Sequence, residues 1–253
     1  MKLGDKYKNL YSDYYQTDSS SFLATKRQMT SDETAAHFMS FFKNPSFKNL
    51  ADIGAGDGST ISSLNDYGTI NEFGAFEISQ SGIDEIQKLK IKNLINIEIF
   101  DGYNIPLQKD HYEVAIAAHV LEHVEHERLF INEFSRISML SYIEVPLENT
   151  LKVSKAIKTG EKFGHINFYN PEILVNLIDT CGLNVLKYKI FQHSYKYETL
   201  ISGTIVGSIK YLVKKIALML SPKLATTFFA YTAGIIFSRP ENYDSVKGDI
   251  KYD

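Results

Sequence analysis

Between residues 48 and 190 short β-rich runs alternate with helical stretches, and this alternation restricts the possible folds more than any other feature of the chain. The β-rich runs are Leu50-Ala-Asp-Ile53, Phe73-Gly-Ala-Phe-Glu-Ile78, Ile95-Asn-Ile-Glu-Ile-Phe100, Glu113-Val-Ala-Ile-Ala-Ala118, Ser141-Tyr-Ile-Glu-Val145 and Asn184 to Phe191. Helical patterns run from Ser59 to Leu64, Gly82 to Lys90 and Glu122 to Ile137. Pro171 opens another, from Glu172 to Thr180, which Gly182 ends. Strands separated by helices return through right-handed crossovers, so an α/β fold with a parallel sheet is expected. A last β-rich run, Thr227 to Ser238, is expected to pair at the sheet's edge.

Composition enters as a set of exclusions. The 253 residues exceed one usual domain of about 100–150 residues but are short for two. At 44% hydrophobic and 23% charged the chain can bury a core. Cys181 is the single cysteine, so no internal disulfide forms. The net charge of −3 gives no global attraction to nucleic acid. Met1 to Tyr15 lacks the apolar stretch of a secretory signal, and no run approaches the ~18 apolar residues of a membrane span. The sequence reads as cytoplasmic.

Chemistry gathers where the strands end. Asp52-Ile-Gly-Ala-Gly-Asp-Gly-Ser59 follows a strand and precedes a helix. Gly54, Gly56 and Gly58 let the backbone turn sharply and approach a ligand, and the helix N-terminus beyond suits anionic groups. Ser59 stands where a dinucleotide fingerprint needs its third glycine. Glu77 ends the second strand, placed to accept hydrogen bonds from ribose hydroxyls. Asp101-Gly102 follows the third strand, and His119 the fourth.

In these segments the chain resembles the class I S-adenosylmethionine-dependent methyltransferases, in the broad group with a Leu-Glu-His-Val motif. The matching pieces are Leu50 to Gly58, Phe76-Glu-Ile-Ser79, Asp101-Gly-Tyr-Asn-Ile-Pro-Leu107 and His119-Val-Leu-Glu-His-Val124. Glu144-Val-Pro146 and Gly164 to Pro171 follow. The resemblance spans about 46–190 and implies a doubly wound, Rossmann-like seven-stranded sheet whose last strand is antiparallel. It implies one domain, with an N-terminal cap over 1–45 and a C-terminal extension over 191–253. It also implies that Asp52, Gly54 and Gly56 hold the methionine part of S-adenosyl-L-methionine, Glu77 the ribose, and Asp101 with Gly102 the adenine. His119 would lie near the methyl group. Glu113 and Ile137-Ser-Met139 depart from the group's pattern outside the cofactor pocket.

Two other readings of the chain stay open. His119-Val-Leu-Glu-His123 spells H-x-x-E-H, so a zinc-dependent hydrolase built on His119, Glu122 and His123 is one alternative. Against it, His119 follows a strand-like run, and two histidines four apart share a face only on a helix. No metal is expected. A non-catalytic nucleotide-binding Rossmann-like module is the second alternative. If methyl transfer holds, the acceptor is expected to be a small molecule or glycan, methylated at oxygen, with His123 and His165 as candidate bases.

The ends carry the remaining signals. Tyr7, Tyr11, Tyr14 and Tyr15 precede Phe22-Leu-Ala-Thr-Lys-Arg27, a stretch suited either to cover a cofactor or to pack as a helix. Ile201, Ile205, Ile209, Leu212, Ile216 and Leu220 fall at helical spacing, flanked by Lys210, Lys214 and Lys215. Such a basic amphipathic helix over 201–220 packs on the core, meets a second subunit, or lies peripherally on a membrane.

Overall fold

The computed structural model describes residues 21–160 and 164–252. Tyr7, Tyr11, Tyr14 and Tyr15 lie outside the described residues. Helix α1 (Ser21–Met39) leads into a seven-stranded sheet. The strands are β1 (Phe47–Ile53), β2 (Ile70–Glu77), β3 (Leu94–Ile99), β4 (Tyr112–Ala118), β5 (Ser138–Leu147), β6 (Asn184–Phe191) and β7 (Tyr231–Ser238). Their order is β3-β2-β1-β4-β5-β7-β6. The first five are parallel, and β7 runs antiparallel to both β5 and β6. Helices α2 (Ser59–Asn65), α3 (Gln80–Lys88), α4 (Glu127–Arg136), α5 (Val153–Gly160) and α6 (Pro171–Asp179) lie between strands.

Alternation along the central strands supplies both cores. In β4, Val114 and Ile116 pack with Phe38 of α1 and Ile61 and Leu64 of α2. Ala115 and Ala117 face the other way, toward Phe130, Ile131 and Phe134 of α4 and Ile178 of α6. A sheet covered on both faces needs apolar residues at every position of its inner strands, which explains these runs. Strand order reverses between the neighbours β1 and β4, which opens a crevice at their carboxyl ends.

Three expectations are corrected. The last β-rich run does not lie at the edge: β7 is inserted between β5 and β6, and all eight of its residues are buried. Its Tyr-Thr-Ala-Gly-Ile-Ile-Phe run has the composition of a doubly covered strand, and Thr227 and Phe228 instead end a helix. The stretch 201–220 is not one helix either. Gly203, at φ 77, divides α7 (Tyr195–Ser202) from α8 (Thr204–Leu220), and α9 (Pro222–Phe228) follows. Lys214 does not flank an exposed stripe; it is buried, with its ammonium 2.8 Å from Glu198 Oε1. A short helix, α10 (Tyr243–Val246), follows β7.

An interior β7 has an energetic consequence. Phe237 is fully buried and its ring meets Phe134 of α4 at 6.2 Å between centroids. Phe237→Ala is expected to cost about 3–5 kcal/mol of stability in urea unfolding. A loss below about 1 kcal/mol would mean that the strand lies at a more yielding place.

Candidate functional site

The crevice widens into a cavity of about 800 Å³, lined from the turn after β1, from β2, β4, α1 and the C-terminal helices. At its floor is the turn after β1. Gly54 and Ala55 both donate backbone hydrogen bonds to the Phe76 carbonyl, at 2.7 and 3.1 Å, which fold the turn over the end of β2. Gly54 has φ +84, and a Cβ there would stand 2.6 Å from Val120 Cγ2, so this position excludes other residues on two counts.

Glu77 underpins the turn from β2. One carboxylate oxygen accepts from the Gly56 amide at 3.0 Å, the other from the Ser79 amide at 3.0 Å and hydroxyl at 2.8 Å. Burial raises its pKa, against the pull of these donors. α1 closes the turn from above. Arg27 Nε donates to Asp57 Oδ2 at 3.0 Å, while its Nη1 is buried with no hydrogen-bond partner among the described residues.

The wall after β4 is charged. His119 sits at φ +57, a conformation uncommon for a residue with a β-carbon, and its amide donates to the Glu144 carbonyl at 2.9 Å. Its ring nitrogens lie 3.4 Å from Glu122 Oε1 and 3.5 Å from Glu144 Oε1. Burial opposes a charge on the ring, but Glu122 and Glu144 overcome it and raise His119 to about 10. Glu144 also receives Thr34 Oγ1 at 2.8 Å, lies 3.0 Å from His37 Nδ1, and accepts from the Tyr142 hydroxyl.

Beyond His119 the chain makes a single 3₁₀ turn, Leu121–His123, where the H-x-x-E-H motif would require an α-helix. The converging set is instead Glu122, His123 and His165, with possible ligand atoms within 4.8 Å of one another. The His123 and His165 rings meet edge to face at 4.9 Å between centroids. His165 Nδ1 lies 2.8 Å from Glu148 Oε2. Burial lowers the pKa of His123, whereas at His165 burial is outweighed by Glu148, which raises it.

Of the residues singled out in the sequence, Gly54, Gly56, Glu77, Gly102, His119, His123 and His165 line the cavity. Asp52 and Asp101 do not. Asp52 is buried in β1, and burial with the nearby charges of Glu77 and Asp57 raises it to about 8. Asp101 turns its carboxylate to the Tyr103 amide at 2.9 Å and the Asn104 amide at 2.8 Å, fastening its own loop. Sequence reasoning missed Glu148 and Tyr197, which no motif marks; Arg27, in the stretch expected either to cover a cofactor or to pack as a helix, and Lys210, read as a flank of the 201–220 stripe, both line the cavity.

A family profile described as a methyltransferase domain matches residues 25–188. No curated protein sequence matches significantly. Among solved structures, the chain is similar to one in the complex of the Haloferax volcanii Trm112 methyltransferase activator with a methyltransferase. That match has TM-score 0.66 and 11% identity, over 94% of this chain and 100% of the other. A geranyl diphosphate methyltransferase solved with SAM gives TM-score 0.61 and 11% identity, over 82% and 85%. The [4+2]-cyclase SpnF gives 0.59 and 13%, over 83% and 81%. At these identities the likenesses establish the fold, and a cyclase among them shows that the fold alone does not name a reaction.

Two of these groups, the buried Asp52 and the half-buried His119, tie stability to pH. Asp52 stands near 8 against an ordinary 3.8, so folding retains its proton and stability falls as pH rises from about 4 to 8. His119 contributes fully below its ordinary 6.5, and that contribution is lost as pH rises through about 10. Urea midpoints of the cofactor-free protein are expected to fall from about pH 5 to pH 9. Asp52→Asn is expected to flatten the lower part of that fall; equal slopes in both proteins would refute the assignment.

Proposed function

The chain belongs to the methyltransferase-domain family, as a class I enzyme whose cofactor is S-adenosyl-L-methionine, and we propose that it methylates a hydroxyl of a small molecule or glycan. The observation that carries the acceptor part is the pairing of His165 with Glu148 beside His123, on the wall of the same cavity as the glycine turn.

The residues present fit the cofactor. A cavity of about 800 Å³ is in the range that small-molecule sites occupy, about 300–1,000 Å³. The turn offers backbone without side chains, and the unpartnered Nη1 of Arg27 is a donor suited to the carboxylate of the methionine part. In this reading Asp52, Gly54 and Gly56 shape the methionine site, and Glu77 accepts from the ribose hydroxyls. Gly102 would leave room for the adenine, with Asp101 holding that loop. The cluster of His119, Glu122 and Glu144 carries one positive and two negative charges near neutral pH. Its net negative charge favours a cationic sulfonium nearby.

When bound, the cofactor supplies an electrophilic methyl group to the acceptor oxygen. The chain's own work is to align that oxygen and remove its proton. Glu148 accepts from His165 at Nδ1, which leaves the other ring nitrogen as the basic one. His165 would take the proton of the acceptor hydroxyl at that nitrogen, and burial disfavours the charged form of His123 beside it. Holding both reactants in one cavity supplies much of the acceleration.

Two measurements test this reading. Glu77→Ala and Arg27→Ala are each expected to weaken S-adenosylhomocysteine binding at least about tenfold in calorimetry, through loss of charge-assisted hydrogen bonds. With an active acceptor found by screening labelled cofactor, His165→Ala is expected to lower kcat by about 10²–10⁴ while cofactor affinity holds. Normal binding by both of the first variants would sink the cofactor assignment. An unchanged kcat in His165→Ala would sink the base.

A further inference from the structure

The amphipathic helix α8 is mounted inside out. At 3.6 residues per turn Ile205, Ile209, Leu212, Ile216 and Met219 fall on one stripe, and that stripe faces away from the protein. Ile205 and Met219 are each 77% exposed and Ile209 61%. The opposite side, which meets the protein, is mostly polar or small, with Ala217 and Leu218 packed on the core. Gly207 lies against the backbone of Glu198 and Thr199, and Lys214 is buried in its ion pair with Glu198. The Tyr211 and Lys214 carbonyls accept from Gln192 and from the Tyr231 hydroxyl, both at 2.7 Å. A helix placed this way leaves in water the surface that a folded chain ordinarily buries. The apolar surface continues onto α9, where Leu224 is 61% exposed.

Charge identifies what covers it. Lys215 stands on a flank of the stripe, Lys196 and Lys223 are exposed, and Lys210, half exposed, pairs with Glu198 on the cavity side. From residue 195 to 230 Glu198 is the one acidic residue, and it is buried between Lys214 and Lys210. A second copy of this chain, docked face to face, would set lysine against lysine with no exposed acid from this segment between them. An anionic bilayer answers both features, since the isoleucines enter the acyl boundary and the lysine ammonium groups reach the headgroup phosphates. No helix among the described residues is long and apolar enough to cross a membrane, so α8 would lie along the surface.

We propose that α8 and α9 form a docking face for an anionic lipid surface. The inward side of the same helix lines the site cavity through Lys210 and Lys214, which places that cavity at the lipid boundary. Resting on the methyl-transfer reading, the acceptor class is then a hydroxyl compound carried on a lipid anchor.

Co-sedimentation of the full chain with vesicles tests the docking face. Binding is expected to vesicles of phosphatidylcholine with phosphatidylglycerol, weakened by salt, and not to phosphatidylcholine alone. The double variant Ile209→Glu, Ile216→Glu alters two exposed positions and is expected to weaken binding at least about tenfold. Lys215→Glu with Lys223→Glu is expected to weaken it and to reduce its salt dependence. No binding by the intact protein to the anionic vesicles overturns the proposal, as does undiminished binding by the double isoleucine variant. So does a stable dimer, without vesicle binding, that the isoleucine variant dissociates. S-adenosylhomocysteine affinity, measured on the same variants, is expected to be unchanged. It reports on the methyltransferase site independently, so a failed docking face and a failed cofactor site are told apart.

Discussion

The buried carboxylate of Glu144 is the point on which the site's geometry depends. It stands near the end of β5 with about 1% of its surface exposed, and a charge so placed persists only when its neighbours satisfy it. Burial works against the charge, but His119 and His37 hold Glu144 well below the usual carboxylate range. The groups it gathers come from three elements: Thr34 and His37 from α1, Tyr142 from β5, and His119 from the turn after β4. Breaking a buried pair of this kind typically costs about 3–5 kcal/mol, which is enough to fix α1 over the crevice. The left-handed conformation of His119 belongs to the same arrangement, since its amide is held by the Glu144 carbonyl while its ring lies between two carboxylates.

A second set of ion pairs completes the cavity from the C-terminal side. His193 lies 2.7 Å from Glu33, and the Ser194 amide donates to the same carboxylate at 2.8 Å, so α7 begins where α1 passes. Glu198 of α7 then takes Lys214 and Lys210 of α8. This polar seam turns the charged side of α8 inward and its isoleucines outward. The wall of the cavity and the exposed apolar face are therefore two sides of one helix, produced by a single packing choice.

Much of the architecture was legible because the relevant forces are local. The glycine turn is readable since positive φ at three glycines in five residues has few uses, and the structure gives Gly54, Gly56 and Gly58 φ values of 84, 59 and 80. Glu77 and His119 were legible because in a parallel sheet the last residue of a strand falls at the crevice. Asp101 illustrates the limit of that argument. It occupies the expected position in the chain, but a short carboxylate beside two free amides folds back onto them, as it does with Tyr103 and Asn104. Glu148, 17 residues before His165, and Arg27, 30 before Asp57, join the site through contacts that no spacing rule records.

By itself the sequence determined the α/β class, the glycine turn with its carboxylate, and the two histidines worth testing. Each depends on periodicity or on residue chemistry at a strand end, and both are properties of short segments. The tertiary structure alone decided that β7 enters between β5 and β6, that His165 is held by Glu148, and that α8 shows its apolar side to solvent. The same hydrophobic stripe is written identically for a helix packed inward or outward. Which way it faces is set by the buried Lys214–Glu198 pair, a contact that exists only after the chain has folded.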